Sequence, residues 1–206
     1  MTVLYFVRHG ETDYSGKIIS GNLPGIHLNN RGKQQSAGIT KYFESTALQA
    51  IYCSPLERAI ETASPLAEQK KLTLEKVPFL REIDFGDFQG KGEELAQSSL
   101  WQRFLINPAW VRFPNGETVK EAQKRVVEGI NTLCAQFSSG EAILCVAHCE
   151  IIRLAVAYVL KMPLDAYMKI TIDTGSISKI IWSETKRQVM FLNHIPGVSP
   201  DRIESK

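Results

Sequence analysis

Hydrophobic positions fall in two patterns along this chain. Short, nearly continuous apolar runs alternate with longer stretches whose apolar residues recur every three or four positions. The runs at residues 2–7 (TVLYFV), Ala50–Cys53 (AIYC) and Ala142–Ala147 (AILCVA) read as strands covered on both faces. Residues 73–77 suggest one more strand, and Ile177–Trp182 with 188–192 suggests a closing antiparallel pair. Helical spacing predicts a helix from Asn30 to about Ser45, with Asn30 as N-cap. A second starts at Ser54-Pro55, a cap followed by a first-turn proline, and carries Leu56, Ala59, Ile60, Ala63 and Ala67 on one face; Pro65 should end or kink it. A third spans 117–137, with Val119, Ala122, Val126, Ile130 and Leu133 aligned, and a fourth 151–160. Strands alternating with helices predict a three-layer α/β/α sandwich with a mainly parallel central sheet and an antiparallel edge. Residues 78–116 break the pattern. They are rich in Phe and Trp, punctuated by Gly and Pro, and read as a partly helical excursion within a single domain of residues 1–206.

Composition narrows the class. With 206 residues, roughly 70% of the unfolded surface can be buried without staples. Hydrophobic residues make up 44% and charged residues 22%, with a net charge of +2; a disordered or fibrous chain is excluded, and neither nucleic acid nor a membrane surface is an expected partner. No apolar run approaches the ~18 residues of a membrane span, and the N-terminus lacks the marks of a signal peptide. Cys53, Cys134, Cys145 and Cys149 form no C-x-x-C pair. They suit free thiols in a reducing cytoplasm. A homodimer is left open.

The candidate chemistry lies at strand ends. His9 follows the first apolar run and His148 the 142–147 run, and open α/β sheets bind ligands at carboxyl strand ends. Arg8 adjoins His9, and Arg58 lies about one turn into the helix after AIYC. Arginine forks suit phosphate oxygens, and the helix starts after Ser54 and His148 add N–H donors for an anion. Gly10 would let the backbone approach a ligand. Cationic surroundings make a poor metal site, and there is no H-x-x-x-H pair or carboxylate cluster, so neither a metal nor a cofactor is expected. A neutral imidazole among arginines is a suitable nucleophile for phosphorus. A proton donor for the leaving oxygen is also required; Glu82, Asp84, Asp87, Glu93 and Glu94 are candidates that spacing does not separate.

These residues belong to five ordered blocks. Val7-Arg8-His9-Gly10-Glu11-Thr12 resembles the R-H-G-x-T signature of the histidine phosphatase superfamily, the phosphoglycerate-mutase-like proteins. Ser54-Pro55-Leu56-Glu57-Arg58-Ala59 with Thr62-Ala63 is similar to its S-P-L-x-R-A-x-x-T-A block. Residues 80–90 are similar to L-x-E-x-x-x-G-x-W-E-G, Pro114-Asn115-Gly116-Glu117-Thr118 to P-x-G-E-S, and Val146-Ala147-His148 to the second-histidine strand. The resemblance spans about residues 2 to 195. It implies a metal-independent phosphomonoesterase acting on a small-molecule phosphate ester. His9 would carry the phosphoryl group; Arg8, Arg58 and His148 would hold it; Glu82 would be the general acid. It also implies substrate contacts from Gly10, Thr12, Ser15, Gly21 and Cys149.

Several positions depart from the family pattern. Ser15 replaces a frequent Asn, and residues 21–29 keep the loop that follows only loosely. Cys149-Glu150 replaces Gly-Gly. A thiol at an electropositive helix start would have a lowered pKa, and Glu150 is unfavourable beside phosphate unless it points away or meets substrate. Phosphoglycerate mutase activity and a non-catalytic phosphate-binding protein are the rival readings. The short segment between Glu82 and Pro114 favours a phosphatase, most like the small branch that includes α-ribazole phosphatases. The excursion's aromatics, with Arg103 and Arg112, would line or cover the substrate's organic part; Trp101 and Trp110 fit local core equally well.

Overall fold

The computed structural model describes residues 1–197 of the chain; residues 198–206 of the expected domain lie outside the described part. Six strands form one sheet in the order β3-β2-β4-β1-β5-β6. They are β1 (Thr2–Arg8), β2 (Ala50–Cys53), β3 (Leu74–Lys76), β4 (Ala142–Ala147), β5 (Ile177–Trp182) and β6 (Arg187–His194). The first four are mutually parallel, and β5 and β6 add the antiparallel edge. The apolar runs are continuous because both faces are covered. In β1, Leu4 and Phe6 pack with Val126, Ile130, Ile151 and Ala155, from α4 (Val119–Cys134) and α5 (Cys149–Val159). Tyr5 and Val7 point the other way, toward Ile39, Phe43, Ala59, Ala63 and Leu66, on or beside α1 (Asn30–Tyr42) and α2 (Glu57–Lys70). The result is the three-layer α/β/α sandwich.

Strand order makes the site. β4 inserts between β1 and β2, in register with β1 so that Arg8 lies opposite Ala147. The next residues, His9 and His148, therefore leave the sheet side by side. Chain crossings diverge here, toward β2 on one side and β5 on the other, so this is the sheet's switch point.

Several boundaries differ from expectation for identifiable reasons. Asn29, not Asn30, caps α1; its side chain accepts the Gly32 N–H at 2.9 Å. α2 begins at Glu57 without a side-chain cap, and Ser54 directs its hydroxyl to His148 instead. Pro65 does not stop α2, which runs to Lys70. The Ser36 hydroxyl of α1 donates to the Thr62 carbonyl at 2.9 Å, and Ala63, Leu66 and Ala67 are buried on either side of the proline, so packing holds the helix through it. α4 starts later than expected, at a capping box between Thr118 and Glu121, and ends at Cys134. α5 starts earlier, directly after His148.

The excursion is four 3-10 turns around one short helix, α3 (Ser99–Ile106). Phe85, Phe88, Phe104 and Phe113 are buried in it, with ring centroids 4.9–6.1 Å apart, mostly edge to face. Trp101 packs on Phe104 at 5.1 Å, whereas Trp110 is 80% exposed and belongs to neither core nor pocket. Arg112 turns to Glu121 and the Gly116 carbonyl. Among the described residues no helix is long and apolar enough to cross a membrane.

Gly10 has a different structural use from the one its position suggested. A Cβ there would lie 2.6 Å from the Gly32 carbonyl oxygen, and one at Gly32 would lie 2.1 Å from the Glu11 carbonyl oxygen. The loop after β1 thus docks backbone to backbone on the first turn of α1. Gly32→Ala is expected to cost about 1–3 kcal/mol, the range for forced overpacking, and to lower activity because the His9 loop must shift. Urea unfolding and a turnover assay on the variant check this; unchanged values in both would contradict it.

Candidate active site

His9 is 7% exposed at the end of β1. Its Nδ1 lies 2.8 Å from the Gly10 carbonyl. A carbonyl oxygen only accepts, so Nδ1 carries the proton and Nε2 keeps its lone pair. Burial, then the charges of Arg58 and Arg8, push the His9 pKa well below its ordinary value. The ring is therefore neutral near pH 7.

His148 is fully buried, its ring centroid 5.1 Å from that of His9. Its Nε2 sits 2.7 Å from the Ser54 hydroxyl. Burial and Arg58 lower its pKa as well. Arg58, the second residue of α2, is 1% exposed. It donates from Nη2 to the Gly21 carbonyl at 2.6 Å and from Nη1 to the Leu23 carbonyl at 3.4 Å. Burial brings its pKa down to about 10, which leaves it charged at neutral pH. Gly21 turns with a φ of +46°, and a Cβ there would strike the Gln89 side chain. Arg8 donates from Nη1 to the Ile172 carbonyl at 2.6 Å. Arg8 Nε, Arg58 Nε and His148 Nδ1 are buried without a hydrogen-bond partner among the described residues.

Of the five carboxylates that spacing left open, Glu82 alone is buried. Asp84 accepts the Gly86 N–H, Asp87 holds Asn115, and Glu94 accepts the Gly92 N–H. Glu82 Oε1 accepts the Ile83 N–H at 3.0 Å, and Oε2 lies 3.4 Å from the Glu150 N–H. Burial first, and the Glu150 carboxylate second, raise the Glu82 pKa to about 7, against the pull of those N–H donors and Arg58. A buried neutral base and a carboxyl group able to hold a proton near pH 7 thus flank one guanidinium.

The loop residues are placed less directly. Thr12 is buried, and the Ser15 hydroxyl accepts the Thr12 N–H at 3.0 Å and lies 3.2 Å from its hydroxyl; Ser15 closes this turn. Cys149 donates its thiol to the Ile172 carbonyl at 3.6 Å. Burial, then the Glu150 charge, push that thiol up to about 12, which overturns the expectation of a lowered value at the helix start. Glu150 points away to Arg153, 2.7 Å from its Nη1.

Two residues here were quoted in a motif without a role at the site. Ser54, read as a cap, is the His148 partner. Thr62 accepts the Gly10 N–H at 2.9 Å and donates to the Arg58 carbonyl at 2.7 Å, tying the β1 loop to α2. The position of Ser54 at the carboxyl end of β2, on the same edge as both histidines, is the signal that would have found it. The large cavities lie apart from the histidines. One of about 540 Å3 lies between Val77, Phe79 and α4. Another of about 380 Å3 lies between residues 16–19 and the excursion, bordered by Lys91 and Trp101. Among the described residues no three His, Cys, Asp or Glu side chains group as a metal site.

The profile of the histidine phosphatase superfamily (branch 1) matches residues 4–195. The chain belongs to that family. It is 29% identical over 185 residues to the adenosylcobalamin/alpha-ribazole phosphatase of Escherichia coli K12, covering 86% of this chain and 88% of that one. It is 27% identical over 196 residues to phosphoserine phosphatase 1 of Hydrogenobacter thermophilus, covering 94% and 92%. The crystal structure of the alpha-ribazole phosphatase from Shigella flexneri superposes with a TM-score of 0.84 at 26% identity, over 96% of this chain and 99% of that one.

The Glu82 environment has a consequence for stability. Folded, Glu82 keeps its proton to about pH 7; unfolded, it loses it near the ordinary 4.5. The folded state holds the extra proton between these values, so this contribution to stability falls as pH rises through the window. The two histidines act oppositely, being held neutral when folded, and their contribution is lost as pH drops below their ordinary value. Glu82→Gln should therefore gain of the order of 2 kcal/mol relative to the parent between about pH 5 and pH 8. Urea unfolding at both values tests this, and a constant difference would show an ordinary carboxyl group.

Proposed function

We propose that this chain hydrolyses small-molecule phosphate monoesters through a phosphohistidine at His9. The observation that carries the reading is the unprotonated Nε2 of a buried neutral His9 beside two arginines and a second histidine. Nε2 attacks phosphorus, forming the N–P bond as the ester P–O bond breaks. The leaving oxygen takes the Glu82 proton. Glu82, now a carboxylate, removes a proton from water, which attacks phosphorus and returns His9 with inorganic phosphate released. Arg8, Arg58 and His148 stabilise charge on the transferring group; their unpartnered buried nitrogens supply spare polar valence for phosphate oxygens. The N–H of Cys149 at the start of α5 is a further donor, and the loop bearing Thr12, Ser15 and Gly21 bounds the ester side. Four unpaired cysteines suit action in a reducing cytoplasm. The relatives named as phosphatases support the same reaction class.

His9→Ala should abolish turnover and the acid-labile phosphoenzyme formed with labelled substrate; persistent labelling would remove His9 from its role. Glu82→Gln should slow alkyl phosphates roughly 10²–10⁴-fold and p-nitrophenyl phosphate far less, because a good leaving group needs little protonation. Equal losses would rule out Glu82 as the acid.

A further inference from the structure

Glu150 poses a problem of charge. It is the second residue of α5, the helix whose start faces the phosphate pocket, and a carboxylate aimed there would repel substrate. The structure turns it aside. Its Oε1 lies 2.7 Å from Arg153 Nη1, and Arg153 donates from Nε to the Ile170 carbonyl at 2.7 Å. The pair is well covered, with side chains 13% exposed for Glu150 and 20% for Arg153. Glu150 remains beside the acid: its N–H is 3.4 Å from Glu82 Oε2. Its second oxygen, Oε2, is buried with no hydrogen-bond partner among the described residues. The buried Tyr167 hydroxyl also lacks one among the described residues, and burial, then the Glu150 charge, hold its phenol pKa well above the ordinary value.

We propose that Glu150 is a positioning residue for Glu82: Arg153 holds its buried carboxylate away from phosphate while its N–H meets the acid, so that Glu82 keeps its proton until the leaving oxygen needs it. This rests on the reading of Glu82 as general acid. The other groups around Glu82 do not supply this effect. Arg58, from α2, favours the ionised form. Arg125, from α4, reaches the Glu82 carbonyl at 3.5 Å but is paired with Glu117 at 2.6 Å. Tyr167 and Cys149 are neutral near pH 7, because burial raises both. Glu150 thus adds to burial the negative charge that opposes Arg58 at the acid, a like-charge effect that keeps a neighbouring carboxyl protonated.

The experiment is the pH dependence of kcat/KM for an alkyl phosphate and for p-nitrophenyl phosphate. Glu150→Gln keeps the shape and a bond to Arg153 but removes the charge. Its alkaline limb for the alkyl ester should move down by about one pH unit, with the p-nitrophenyl profile little changed. Glu150→Asp, which retains the charge, should recover most of the limb. A merely structural Glu150 would lower rates without moving the limb, and superimposable profiles would overturn the proposal while leaving Glu82 as acid. If Glu82→Gln itself treats both esters alike, the acid assignment fails and the Glu150 role falls with it. Should Glu150→Gln not fold, Glu150→Gly decides: it also removes the charge and should move the limb down, and an unmoved or raised limb counts against the proposal.

Discussion

A guanidinium buried to 1% and held by backbone carbonyls rather than by a carboxylate is an expensive feature, and Arg58 is the feature on which the rest of the site depends. Removing such a charge from water costs several kcal/mol unless polar partners replace the solvent. Gly21 and Leu23 supply part of that replacement, and both lie on the loop after the first histidine motif. The loop is thereby fixed to α2 by the same group that sets the charge of the pocket. Thr62 repeats the connection one turn later through the Gly10 N–H. An anion among Arg58, Arg8 and the histidines would offset the remaining cost, so the fold stores a preference for phosphate in its own electrostatics.

Burial then acts in opposite senses on the two kinds of titratable group. It disfavours the charged form of each, which makes the histidines poor proton acceptors and Glu82 a poor proton donor. The arginines deepen the effect on His9 and His148. At Glu82, Arg58 pulls the other way, and burial, followed by the Glu150 carboxylate, outweighs it. One desolvated pocket can therefore hold an unprotonated imidazole and a protonated carboxyl group at the same pH, although their ordinary pKa values have the reverse order.

The sheet and its flanking helices were legible in the sequence because covering both strand faces leaves a continuous apolar run, and because helix faces repeat at 3.6 residues. Both histidines are read from strand ends; Arg58 is placed near the same rim by its helix start, and the family blocks rather than position give it a role. What was not legible depends on partners distant in the chain. Ser54 reads as a cap because Ser-Pro is a strong local signal, and its true partner lies 94 residues away. Pro65 reads as a stop because the packing that carries α2 past it, through Ala63, Leu66 and Ala67, is tertiary. Cys149 reads as activated because a helix start is electropositive, but burial and its neighbour Glu150 outweigh that field. Gly10 reads as room for a ligand, and its close approach to Gly32 could not be seen from its neighbours in the chain. In each case a local rule was overridden by a tertiary contact that no local window contains.

The acid poses a separate problem of rigidity. His9, His148 and Arg58 stand on or directly beside regular elements, whereas Glu82 lies between two 3-10 turns in a segment without a backbone ladder. Its precision has to come from side chains. Leu80 and Ile83, on either side, are both fully buried. Arg125 on α4 donates to the carbonyls of Phe79 at 2.7 Å, Arg81 at 3.1 Å and Glu82 at 3.5 Å. One helix residue thus replaces the hydrogen bonds that a strand would have made, and Glu117 fixes Arg125 in turn. The outer aromatic part of the excursion, around Trp101 and Trp110, makes none of these bonds, so the Glu82 segment is held by α4 rather than by that outer part.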